Sequence, residues 1–177
     1  MNRSKYDGNI ISAIEKRVED GVVFEASGII DIPSGGGVGE WLFINGSKNA
    51  IIEGREIITN GDEMYYQGIG FSTVSSNGTE EVVSKRNPLH SHDPEARFFT
   101  SPTVTADGQS GNPVYMPGAA GQGNSSAGQY SLDGLIRVLP PHAEIILRVT
   151  NQGSENPATT QMYLLWAELD DPAPFQM

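Results

Sequence analysis

The chain has 177 residues, 37% of them hydrophobic and 19% charged, with 21 Gly, 11 Pro and no Cys. That suits one domain with a real core, argues against charge-driven disorder, and excludes disulfides, thiolate metal sites and cysteine catalysis. A formal net charge of -11 repels phosphate backbones and anionic headgroups, so nucleic acid and membranes are not expected partners, whereas a basic surface on a larger assembly is.

Residues 9–20 read as the one helix, inside an N-terminal arm spanning 1–21. Ile10, Ile11, Ile14 and Val18 fall on one stripe, Asp7 or Asn9 can cap the start, and Gly21 stands where helices commonly end. About three turns of helix are marginal alone. The stripe must therefore dock on this chain's own sheet or on a neighbouring subunit.

From Val22 the period becomes strand-like, and residues 22–169 read as an all-β domain. Apolar runs cover Val22–Ile32, Trp41–Ile44, Ala50–Thr59, Met64–Val74, Glu80–Val83, Leu135–Leu139, Glu144–Thr150 and Gln161–Leu169. Asn45-Gly46, Asn60-Gly61 and Asn77-Gly78 lie between such runs, a pattern read as tight hairpins. About eight strands without alternating helices predict an antiparallel β-sandwich or jelly roll. In Glu144–Thr150, Ile145, Leu147 and Val149 point one way while Arg148 and Thr150 point the other, as in a half-buried strand. In Gln161–Leu169 both faces are apolar, so a helix, a loop or another subunit should cover the second face.

Residues 107–128 hold six glycines and read as a long loop, either mobile or a surface arm that orders on a partner. The tail 170–177 has an apolar tip, suited to a neighbour's groove if it is not simply frayed. Four Asn-x-Ser/Thr triplets begin at Asn2, Asn45, Asn77 and Asn124. With no signal peptide ahead of them they read as turn residues, in a chain made in a cytoplasm.

All three histidines lie in two places, Leu89-His-Ser-His-Asp-Pro-Glu and Leu139-Pro-Pro-His-Ala. In a strand, His-x-His puts both rings on one face, where they can chelate a transition metal. The pattern is partly similar to that of the cupins, which are metal-binding jelly rolls. The cupin glycine ahead of His-x-His falls on Ser84 here, and only two residues separate His92 from Glu95. The second motif matches in spacing at Gly134 and Pro140, but its later glycine falls on His142 and its metal-binding histidine on Ile145. Asp93-Pro94 signals a turn that breaks strand geometry. The expectation is therefore no metal and no cofactor, with His90, His92, Glu95 and His142 as the residues a metal centre would use. Gly35–Gly39 lacks the Lys-Ser/Thr of a phosphate loop, and no nucleophile elbow or Asp-rich calcium loop occurs. No enzymatic activity is expected.

The arm with its single helix, the Gly/Asn/Ser-rich turns, and the ending Leu139-Pro-Pro-His-Ala-Glu-Ile-Ile-Leu-Arg-Val-Thr-Asn resemble accessory capsid proteins of tailed phages, the cement or decoration proteins. The resemblance implies a virion structural protein on the capsid surface, made in the host cytoplasm. It would clamp major capsid proteins and associate with itself as a trimer or dimer. Contacts are then expected at Tyr6, Ile10, Ile11 and Ile14 of the arm, Tyr115 and Met116 of the loop, and Pro174 and Phe175 of the tail. Two other readings stay open: a receptor- or glycan-binding tail or fibre module, in which Trp41, Tyr65 or Tyr66 stack on sugars, and a cupin-like metal-binding protein.

Overall fold

The computed structural model describes residues 13–117, 128–131, 137–153 and 155–170. A helix over 13–19 (α1) leads into β1 (Val23–Ile32), β2 (Gly37–Ile44), β3 (Asn49–Thr59) and β4 (Glu63–Gly70). The short strands β5 (Thr73–Ser76), β6 (Thr79–Glu80), β7 (Ser84–Lys85), β8 (Arg97–Thr100), β9 (Thr103–Ala106) and β10 (Gln109–Ser110) follow. Next come β11 (Val114–Pro117), β12 (Gly128–Ser131) and β13 (Arg137–Leu139), and then the long β14 (Glu144–Asn151) and β15 (Ala158–Leu169).

These strands form two facing sheets and a small flap. The first sheet runs β12–β3–β15–β1–β7, with β13 also on β3; the second runs β10–β4–β14–β2–β8–β6, with β11 also on β4. Every pairing is antiparallel. The chain crosses between the sheets at β1–β2, β2–β3, β3–β4, β13–β14 and β14–β15, which is the wiring of a jelly roll and agrees with the expected sandwich. Among the described strands none pairs with its immediate neighbour in the chain. The Asn-Gly dipeptides are therefore not hairpins: each joins strands of different sheets. Asn45 shows why. Its side chain is buried and donates to the carbonyls of Lys48, Leu139 and Pro140, organising a rim where two loops meet. At the opposite rim the buried Asn151 donates to the carbonyls of Ile32 and Asn156.

The main core lies between the sheets, built from inward-facing residues such as Phe24, Trp41, Phe43, Phe98, Leu147 and Trp166. Phe43 meets Trp166 edge-on, with ring centroids 5.2 Å apart, and the Trp41 indole N–H donates to the Gly28 carbonyl at 3.0 Å. Residues 71–113, between β4 and β11, carry β5 to β10. This excursion extends one edge of both sheets, β7 beside β1 and β8 beside β2. The β5–β9 flap lies on the outer face of the second sheet, where Val74 and Val104 pack on Leu42, Ile69, Phe99 and Ile146. That second core accounts for the unbroken apolar runs Trp41–Phe43 and Ile145–Leu147, whose middle residues point away from the first core.

The described part of the predicted helix forms as α1, and residues 9–12 lie outside the described residues. Its end is a Schellman motif, with Val22 N–H donating to the Arg17 carbonyl, Gly21 N–H to the Val18 carbonyl, and Gly21 at φ 72°. Arg17 pairs with Glu53 of β3, which holds this helical turn on the chain's own sheet. On the same outer face Leu165 and Tyr163 of β15 are only half-buried.

Candidate functional site

The histidine stretch is a loop, not a strand, and its groups are engaged separately. The His90 ring packs against Gly21, where any side chain would collide with it. Nε2 of His92 lies 2.7 Å from Nζ of Lys48. An ammonium only donates, so this ring nitrogen accepts and its lone pair is occupied. The Glu95 carboxylate accepts from the Ser47 amide at 2.8 Å and its hydroxyl at 2.5 Å, and these bonds hold its carboxyl below the ordinary glutamate value. His142 sits apart on the turn between β13 and β14, its amide donating to the Gly46 carbonyl. Among the described residues no three His, Asp or Glu side chains come together as a metal site.

Of the expected contact residues, Tyr115 is 48% exposed on β11, whereas Met116 is 1% exposed and belongs to the main core. The correction follows from strand alternation: residues 107–117 are not one long loop, because β10 and β11 pair with β4 and turn Met116 inward opposite Met64. Residues 118–127 lie outside the described residues, as do Tyr6, Ile10, Ile11, Pro174 and Phe175. Ile14 is half-buried on α1. Trp41 and Tyr66, read as possible sugar platforms, are buried in the core; Tyr65 alone of the three faces out.

A cleft of about 560 Å³ opens between the sheets at the rim formed by the β4 end, β10 and the β13–β14 turn. Leu139 and Ile145 form part of its lining, and a Cβ added at Gly70 would meet nothing within 4 Å. Its rim is apolar, with Phe71, Val138, Pro140 and Pro141. Phe71 is 83% exposed. Phe71 and His142, both lining this cleft, are two of the three non-glycine residues with positive φ among those described, each at 60°. A bulky residue in that region costs roughly 1–2 kcal/mol, and such strain gathers at functional sites. Nothing in the sequence marks Phe71 for this role, because it lies inside the apolar run Met64–Val74 and reads as one more strand residue.

A second groove, of about 440 Å³, lies on the outer face of the second sheet and is lined by Glu63, Tyr65, Gln67, Pro113, Thr150 and Gln152. Tyr115 stands directly opposite Tyr65, with ring centroids 5.3 Å apart. Beside it, Arg148 donates to both oxygens of Asp107 and to Glu40 at 2.6–2.7 Å. This clamp holds the Asp107 carboxyl below its ordinary value and ties the flap's exit to the sheet. Neither the protein-family models nor the curated proteins match this chain.

Proposed function

We propose that this chain is a structural subunit of a virus particle, a decoration protein that seats on the capsid surface between major capsid proteins. It works there as a dimer or trimer, without catalysis. The observation that carries the reading is Phe71, a large apolar side chain displayed to solvent at the mouth of an open cleft and held in a strained backbone conformation. Both features are unfavourable in the isolated chain, and burial against a partner would recover about 1.5–3 kcal/mol from the phenyl ring alone. The jelly-roll wiring, shared by many viral coat domains, supports the reading. So does the net charge of -11, which favours a partner whose apolar socket has a basic border.

The test is sedimentation of the purified chain with assembled shells. Saturable loading at a fixed ratio to the major capsid protein is expected. Phe71→Gly should load at least tenfold more weakly while melting no lower than the parent, because glycine relieves the backbone strain and little buried surface is lost. A chain that never sediments with shells, or a Phe71→Gly variant that loads normally, refutes the proposal.

A further inference from the structure

We infer that the groove beside Tyr65 and Tyr115 is a binding site for a neutral saccharide, separate from the Phe71 cleft and independent of it. The two rings project from β4 and β11 in register and are 36% and 48% exposed, inclined at 54° to each other. Such a pair offers an apolar ledge for the C–H face of a pyranose. Around it stand groups that exchange hydrogen bonds with hydroxyls. The Gln67 amide nitrogen donates to the Gly111 carbonyl at 2.7 Å, which fixes that side chain and leaves its oxygen to accept. Thr150 and Gln152 each offer a donor and an acceptor, and Glu63 offers a carboxylate.

Charge selects within the sugars. Among the described residues, Glu63 is the one charged side chain lining the groove. Arg148, on the same sheet face beside the groove, is held by Asp107 and Glu40. An anionic ligand would meet repulsion from Glu63 with no cation among the described lining residues to offset it, whereas a neutral sugar would not. The volume of about 440 Å³ lies within the range of ligand sites, roughly 300–1,000 Å³, and suits one or two rings.

The experiment is a titration of the isotope-labelled chain, followed by amide chemical shifts, with glucose, galactose, mannose, N-acetylglucosamine and their disaccharides. Glucose 6-phosphate and choline are run alongside. At least one neutral sugar should shift the amides of Tyr65, Gln67, Tyr115 and Thr150, and the phosphate should bind at least tenfold more weakly than its parent sugar. Tyr65→Ala should weaken binding tenfold or more and Tyr65→Phe by less than threefold. The second variant separates loss of the stacking ring from loss of fold. The inference is overturned if no neutral sugar shifts these amides at tens of millimolar. It is also overturned if choline alone does so, since a groove with a carboxylate and two aromatic rings would then be a cation site.

Discussion

Replacing Glu168 by alanine should remove a large part of this protein's stability, although the residue lies near the end of the last described strand. Glu168 is 1% exposed. Its carboxylate accepts from the amide of Glu95 at 3.0 and 3.1 Å, from the amide of Ala96 at 2.9 Å, and from the Trp166 indole N–H at 3.1 Å. It therefore ties the segment entering β8 to β15. Alanine leaves three N–H groups without their acceptor, each costing about 1–3 kcal/mol when buried. Removing a desolvated charge gives part of that back. The expected net loss is about 3 kcal/mol, against a total of roughly 5–15 kcal/mol for a domain. Urea unfolding should show it as a lower midpoint with an unchanged slope, and melting as a fall of roughly 6–12 °C. Glu168→Gln keeps one oxygen for Ala96 and Trp166 but turns an amide nitrogen toward the Glu95 N–H, so it should cost about 1–2 kcal/mol. An alanine variant within about 0.5 kcal/mol of the parent, the scatter of ordinary surface changes, refutes the reasoning. A glutamine variant as damaged as alanine also refutes it.

Gly28→Ala should cost about 1–3 kcal/mol by overpacking, because its Cβ would lie 2.3 Å from the Thr100 Cγ2 methyl; Thr100→Ser, which removes that methyl, should restore part of the melting temperature. Acid should destabilise the fold through Glu80, Asp93, Glu95 and Asp107, whose carboxyls are held below their ordinary values chiefly by hydrogen bonds from Arg97, Lys85, Ser47 and Arg148. Lowered folded values mean stability that is present above the unfolded carboxylate pKa values of about 4 and lost as pH falls through the folded ones. Urea midpoints measured from pH 6 downward should decline, and less steeply in Arg148→Gln. At the alkaline end, burial and the bond to Glu25 push the Tyr163 hydroxyl up to about 12. Its contribution is full below the unfolded value of about 10 and lost as pH rises toward the folded one, so Tyr163→Phe should flatten the decline of the urea midpoint there.

The sandwich was legible because β1, β3, β14 and β15 are long and carry the apolar side chains that alternation arguments need. β8 was missed although Phe98 and Phe99 lie in the two cores, since four residues between charged and proline-rich stretches carry too little periodicity to register. The Asn-Gly dipeptides show the opposite failure. Their local chemistry permits a hairpin, but a connection between sheets uses the same residues, and only distant pairing tells the two apart. The Gly-rich stretch concealed β10 and β11 because a strand held chiefly by backbone pairing to β4 needs no apolar pattern of its own. Of the groove's two rings, Tyr65 stood out as an aromatic for sugar stacking and Tyr115 only as a contact residue of the loop. The Phe71 cleft was not, because a positive φ at phenylalanine leaves no trace in composition, and Glu168 resembled any other solvated acid.

That none of the described strands pairs with its successor governs how this chain reaches its fold. β1 lies between β15 and β7, so Val23 meets Ala167 only after nearly every other strand has been synthesised. Until then Trp41–Phe43 can pair only with the short β8, and Ile51–Ile52 only with the short β13. A polypeptide emerging from the ribosome must carry them exposed, and topologies of this kind complete in milliseconds to seconds rather than microseconds. During that interval molecules meeting one another face the same apolar strands that later close the sandwich. Refolding yield should therefore fall steeply with protein concentration, and truncating β15 should leave β1 and β3 without the partner that joins them.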